Sequence, residues 1–113
     1  MDCLFCKIIN REIPSDIVYE DEDVLAFNDI NPQAPTHVLL IPKRHVATLN
    51  DLKEDDLALV GRMTFSAAKL ANEYGFAEDG YRVVMNCNEK GGQSVYHIHM
   101  HLMGGRRFTW PAG

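Results

Sequence analysis

The stretch Tyr96-His97-Ile98-His99-Met100-His101-Leu102-Met103 carries three of the five histidines in the chain, at alternating positions. In a β-strand, successive side chains point to opposite faces. His97, His99 and His101 then share one face, and Ile98, Met100 and Leu102 the other. Such a strand buries an apolar row in a core and presents imidazoles to a cleft. Neighbours on one face stand ~6.6 Å apart and the outer pair ~13 Å apart. Zinc binds imidazole nitrogen at only ~2.0–2.1 Å. One ion can bridge two adjacent members but not all three along an unbent strand, so at least one histidine has another task.

Immediately upstream, Gly91-Gly92-Gln93-Ser94 offers backbone N–H groups and a hydroxyl to phosphate oxygens. Near neutral pH an imidazole is largely uncharged, so it can attack phosphorus and also move protons. A surface groove of three hydrogen-bonded histidines is the plainer alternative. It leaves both the register of the histidines and the glycine-rich approach unexplained.

The rest of the chain sets the frame. Its 113 residues are the length of one domain, residues 1–113, and 46% hydrophobic content supports a real core. Net charge is −5, and the only basic pairs are Lys43-Arg44 and Arg106-Arg107. That is no nucleic-acid footprint. No apolar run reaches the ~18–20 residues that span a bilayer, and the start Met1-Asp2-Cys3-Leu4-Phe5-Cys6 lacks the features of a signal peptide. We expect no membrane partner and a cytoplasmic location. Three cysteines, an odd count, argue against a disulfide framework.

Periodicity predicts a short helix from Phe5 to Arg11, ended by Pro14, and then a hairpin. Its strands are Ile17–Tyr19 and Val24–Phe27, turning at Glu20–Asp23. Asp29 to Pro35 is a loop, and His37–Pro42 a central strand closed by its proline. From Glu54 to Tyr74, Leu57, Val60, Met63, Ala67, Leu70 and Tyr74 form a helical stripe, with Asp51 a candidate cap and Gly75 the stop. Gly80–Asn86 reads as a strand and Lys90–Ser94 as a tight loop. The expected fold class is α+β: an antiparallel sheet of about five strands with two helices on one side.

The segment from Gly91 to Leu102 resembles the signature of the histidine triad superfamily, in which histidines alternate with apolar residues. Ile8-Ile9, Glu12-Ile13-Pro14, Ala26-Phe27, Asp29-Ile30, Pro32 to His37, Ile41-Pro42-Lys43, Gly80-Tyr81-Arg82 and Trp110-Pro111 extend the likeness to its Hint branch over nearly the whole chain. The resemblance implies a HIT-like fold and a homodimer whose subunits join their sheets. It implies hydrolysis of purine nucleoside 5′-phosphoramidates, extending to aminoacyl-adenylates, with no organic cofactor. By position, His99 matches the nucleophile that carries the nucleotidyl group, and His101 a phosphate contact. His37 matches a charge relay, and Ser94 a residue at the leaving group. Asp29 matches the ribose carboxylate, Phe27, Asn28 and Ile30 the base pocket, and Asn86, Gly92 and Gln93 further nucleotide contacts. Asn28 departs from the His or Arg common in relatives, which loosens the expectation for the base.

Two other functions compete. A dinucleoside polyphosphate hydrolase of the fragile-histidine-triad branch usually has Thr after the Gln and Pro after the triad. Ser94 and Gly104-Gly105 stand here instead. A nucleotide-binding regulatory protein with residual activity is the alternative outside enzymes.

Cys3 and Cys6 have the spacing of half a zinc site, and equally of two thiols sharing one face of a short helix. Spacing alone does not choose. Some bacterial relatives and the related galactose-phosphate uridylyltransferases hold a structural zinc with such a pair and two histidines. The matching positions are His45 and His97. That resemblance sets the pair apart from the catalytic apparatus.

Overall fold

The computed structural model describes residues 2–113. One antiparallel sheet holds five strands in the order β1-β2-β3-β5-β4. They are β1 (Ile17–Glu20), β2 (Val24–Asn28), β3 (Thr36–Pro42), β4 (Arg82–Val84) and β5 (Met100–Gly104). Helix α1 (Leu4–Ile9) precedes them, α2 (Leu57–Tyr74) crosses over from β3 to β4, and a single turn, α3 (Asn88–Gly91), leads towards β5.

Alternation in β2 and β3 splits the core in two. Val24, Ala26, Val38 and Leu40 pack with Met63, Ala67, Leu70 and Ala71 of α2 and with Ile98, Met100 and Leu102. Leu25, Phe27, Leu39 and Ile41 turn the other way, onto Phe5 and Ile8 of α1. The expectation of helices on one side is thus corrected: α1 covers the second face. A helix of six residues buries too few side chains to announce its face in the sequence.

α2 buries Met63, Ser66, Ala67, Leu70 and Ala71, the spacing of one helical face. The ends of the predicted stripe stay outside, Leu57 at 73% exposure and Tyr74 at 42%. The helix is entered through a 3-10 turn at Glu54–Asp56, where Asp56 accepts from the Lys53 N–H at 2.8 Å. Asp51 instead closes a capping box with Thr48 one turn earlier. Gly75 takes φ 87°, and its N–H reaches the Ala71 and Asn72 carbonyls. α1 stops at Ile9 because Arg11 turns left-handed, φ 63°, and the Glu12 N–H returns to Lys7 O at 2.8 Å. It therefore ends before Pro14 can act.

β5 starts at Met100, so His97 and His99 precede the strand instead of lying within it. The reason lies in its partner. Leu40 pairs with Met100, and Pro42, two residues on, has no N–H with which to continue the ladder. The Ile98 N–H goes to Val46 O at 2.8 Å instead. β4 is shorter than Gly80–Asn86 because it pairs only with His101, Leu102 and Met103. The turn of α3 occupies the start of the predicted 90–94 loop.

At the end of β5, a Cβ on Gly104 would lie 2.6 Å from the ring of Phe76, which is packed beside Tyr74 and Tyr81. Gly104→Ala is expected to destabilise the fold by about 1–3 kcal/mol through overpacking. Urea unfolding measures this, and an unchanged midpoint would refute it.

Candidate active site and metal cluster

β3 and β5 run side by side with Leu39 opposite His101 and His37 opposite Met103. Opposed residues share a face, so His37 and His101 both project to the α1 side of the sheet. There His101, with His37 buried behind it, borders a cleft of about 740 Å³ also lined by α1, the end of β2, the Asp29 loop, Ser94 and His99. A larger groove of about 960 Å³ lies elsewhere, between Lys43–Ala47 and Asp51–Leu59. Its Arg44 and Asp56 are ion-paired to each other.

Hydrogen-bond partners fix where each imidazole carries its proton. The Gln33 backbone N–H donates to His37 Nδ1 at 3.0 Å. Neutral His37 therefore keeps its proton on Nε2, which lies 2.9 Å from His101 Nδ1 and 3.4 Å from Asp29 Oδ2. His101 Nδ1 accepts, so its own proton sits on Nε2. Burial, followed by the facing His99 and His37, pushes His101 down to about 4. Burial also lowers His37, opposed by the Asp29 carboxylate. Both rings are neutral near pH 7.

His99 is held separately. Its Nδ1–H donates to the His97 carbonyl at 2.8 Å, leaving Nε2 with a free lone pair. The ring of Phe5 meets it edge to face, centroids 5.1 Å apart at 87°. His99 and His101 are also 5.1 Å apart, centroid to centroid. His37 contacts His101 and reaches His99 only through it.

His97 faces away from the cleft and is fully buried. Its Nε2–H donates to Pro42 O at 2.8 Å, so Nδ1 presents a lone pair. Around that lone pair lie Cys3 Sγ at 3.4 Å, Cys6 Sγ at 3.6 Å and His45 Nδ1 at 3.2 Å. All four ligand atoms fall within 4.8 Å of one another. Burial and the Cys3 sulfur push the Cys6 thiol up to about 11, so this thiol ionises only against a cation. Two sulfurs and two imidazole nitrogens converging on one point fit a closed tetrahedral zinc site. Asp29, His37 and His101 also gather, but their hydrogen bonds to one another already account for their contacts.

The remaining predicted residues divide. Phe27, Asn28, Asp29, Ile30 and Ser94 line the cleft; Asn86, Gly92 and Gln93 do not. Gln93 turns inward: its amide donates to Ala47 O and Val95 O, and its oxygen accepts from the Asn88 N–H. Its side chain staples the loop that carries Ser94. Asn28 is held by Asp16 at 2.8 Å, and Asp29 Oδ1 accepts from the Asn31 N–H at 2.8 Å. Sequence reasoning missed the wall formed by Leu4, Phe5, Ile8 and Ile13. A signal existed: the expected grouping of Cys3 and Cys6 with His97 brings Phe5 beside the triad.

The HIT domain family matches residues 10–108. The chain is 59% identical over 105 residues to the purine nucleoside phosphoramidase of Escherichia coli (strain K12), covering 93% of this chain and 88% of that protein. The structure of a HIT family hydrolase from Legionella pneumophila Philadelphia 1 superposes with a TM-score of 0.98 at 57% identity, covering 99% of this chain and all of that one (100%). A histidine triad protein from Clostridium difficile gives 0.93 at 48% identity, over 96% of this chain and 95% of that one. With five strands, the triad and these relatives in agreement, the chain belongs to the HIT domain family.

Proposed function

We propose that this protein hydrolyses purine nucleoside 5′-phosphoramidates through a nucleotidyl intermediate on His99. The carrying observation is the bond from His99 Nδ1–H to His97 O, which aims an unprotonated Nε2 from the cleft floor. Nε2 attacks phosphorus, the P–N bond breaks, and the amine leaves with a proton. Water then attacks the P–Nε2 bond, releasing nucleoside monophosphate and freeing His99. His101 donates Nε2–H to a phosphate oxygen, its tautomer held by His37 and Asp29. Ser94, at the cleft, relays a proton from solvent to the leaving amine, a role worth ~10²–10⁴-fold, and the proton lost by the attacking water returns to solvent. Phe27 and Ile30 take the base, and Asp29 the ribose hydroxyls on its remaining lone pairs.

The cluster Cys3, Cys6, His45 and His97 holds zinc in this reading. A closed site of this kind supplies folding energy and no open position for substrate. The open edge of β4 and the 38% exposed Val83 support a homodimer joined through that edge. Cysteines outside any disulfide fit a reducing compartment such as the cytoplasm, and among the described residues no helix is long and apolar enough to cross a membrane. We read residues 1–113 as one domain.

With adenosine 5′-phosphoramidate as substrate, His99→Ala is expected to lose on the order of 10⁴-fold or more in kcat. A wild type that leaves the compound intact, or a mutant that cleaves it equally well, would sink the mechanism. Native mass spectrometry should show a dimer with one zinc per chain, and a metal-free monomer would contradict both assignments. Stability has a pH signature. His101 is pushed from 6.5 to about 4 on folding, so the unfolded chain binds the extra proton between those values. Unfolding free energy is therefore level above that window and falls as pH drops through it. His101→Asn should flatten the fall in a urea series; an unaltered slope would count against a neutral His101.

A further inference from the structure

Helix α1 serves two sites at once. Cys3 caps it, accepting the Cys6 N–H at 3.3 Å, and both sulfurs face His97. Between them in sequence, Phe5 points into the other site. It is 4% exposed, lies edge-on to His99, and meets Phe27 of the base pocket with centroids 5.5 Å apart at 71°. Leu4 and Ile8 extend the same wall. The segment matched to the family starts at residue 10, after this helix has ended.

A six-residue helix is too short to hold itself in place. Its attachment to the sheet comes from the Phe5 and Ile8 contacts and from the two cysteines. We propose that metal capture at Cys3 and Cys6 seats α1 on the sheet, and that Phe5 is the positioning residue that transmits this to His99 and to the base pocket. The metal site thereby tunes substrate affinity while no metal touches substrate. This rests on the zinc and hydrolase readings, and it replaces the expectation that the cysteine pair is independent of the reaction.

The probe is the methyl ester of adenosine monophosphate, a monoanion with a poor leaving group. Its affinity is measured by calorimetry for zinc-loaded and chelator-stripped protein, in wild type, Phe5→Ala and the milder Phe5→Leu. Zinc content is assayed alongside. Stripping the wild type is expected to weaken binding about five- to tenfold, the scale of lost edge-to-face ring contacts. Loaded Phe5→Ala should retain zinc and show the same loss, Phe5→Leu a smaller one. Stripping Phe5→Ala should add little, because both changes break one linkage. Hydrogen exchange should rise on stripping in residues 4–9 and stay unchanged in β3. Equal affinity of stripped and loaded wild type, losses that add, or exchange rising equally in β3 would each overturn the coupling. Failure of loaded wild type to bind the ester would overturn the cleft reading as well, a result distinct from equal binding in both states.

Discussion

The hydrogen bond from His97 Nε2–H to the Pro42 carbonyl, 2.8 Å long and wholly buried, fixes the geometry of both sites. Pro42 ends the β3–β5 ladder because it has no N–H to give. Its carbonyl takes a side-chain donor instead. That choice turns His97 Nδ1 towards Cys3, Cys6 and His45. The same bend presents the His97 backbone oxygen to His99. One residue thus supplies a nitrogen to the Cys/His cluster with its side chain and fixes the tautomer of His99 with its main chain. Its replacement by an apolar residue would leave Pro42 O without that donor, a cost of the order of 1–3 kcal/mol before any effect on chemistry.

The two faces of the sheet have different work. The α2 face is an apolar core in which Val38, Leu40, Met100 and Leu102 meet a helix of eighteen residues. The α1 face mixes a small apolar cluster with imidazoles that hydrogen-bond to each other. Period-two alternation in β3 and β5 lets one pair of strands do both. The stability of one face supports the strained requirement of the other, buried polar rings held neutral.

Much of this was legible in advance. Strands β1, β2 and β3 stood out because each combines β-branched or aromatic residues with a clear turn beyond it. The long helix was visible through Met63, Ala67 and Leu70, whose spacing repeats over several turns. Strand rise predicts that one ion cannot serve all three histidines, but alternation predicts a single strand face for them; the strand instead begins only at Met100, and His97 turns away from the cleft. What escaped was set by partners distant in the chain. The start of β5 depends on a proline fifty-eight positions earlier by number, Pro42 against Met100. The placement of α1 depends on contacts with β2 and His97, which no local pattern encodes. Gln93 is expected at the nucleotide by its position in the family resemblance alone; the three hydrogen bonds its side chain makes within the protein are invisible until the chain has folded.

The neutral His37–His101 pair has an electrostatic corollary. Among the described residues lining the cleft there is no lysine or arginine, while Asp16 and Asp29 are present. With His37 and His101 uncharged, the cleft offers hydrogen-bond donors and little net positive charge. A phosphoramidate ester is a monoanion, whereas a phosphate monoester, with its second pKa at about 6, is close to a dianion at pH 7. A site of this kind grips the first more readily than the second. In the proposed reaction, the charge gained when the P–N bond is exchanged for P–O works to expel the product, so release is favoured by a cleft lined without lysine or arginine.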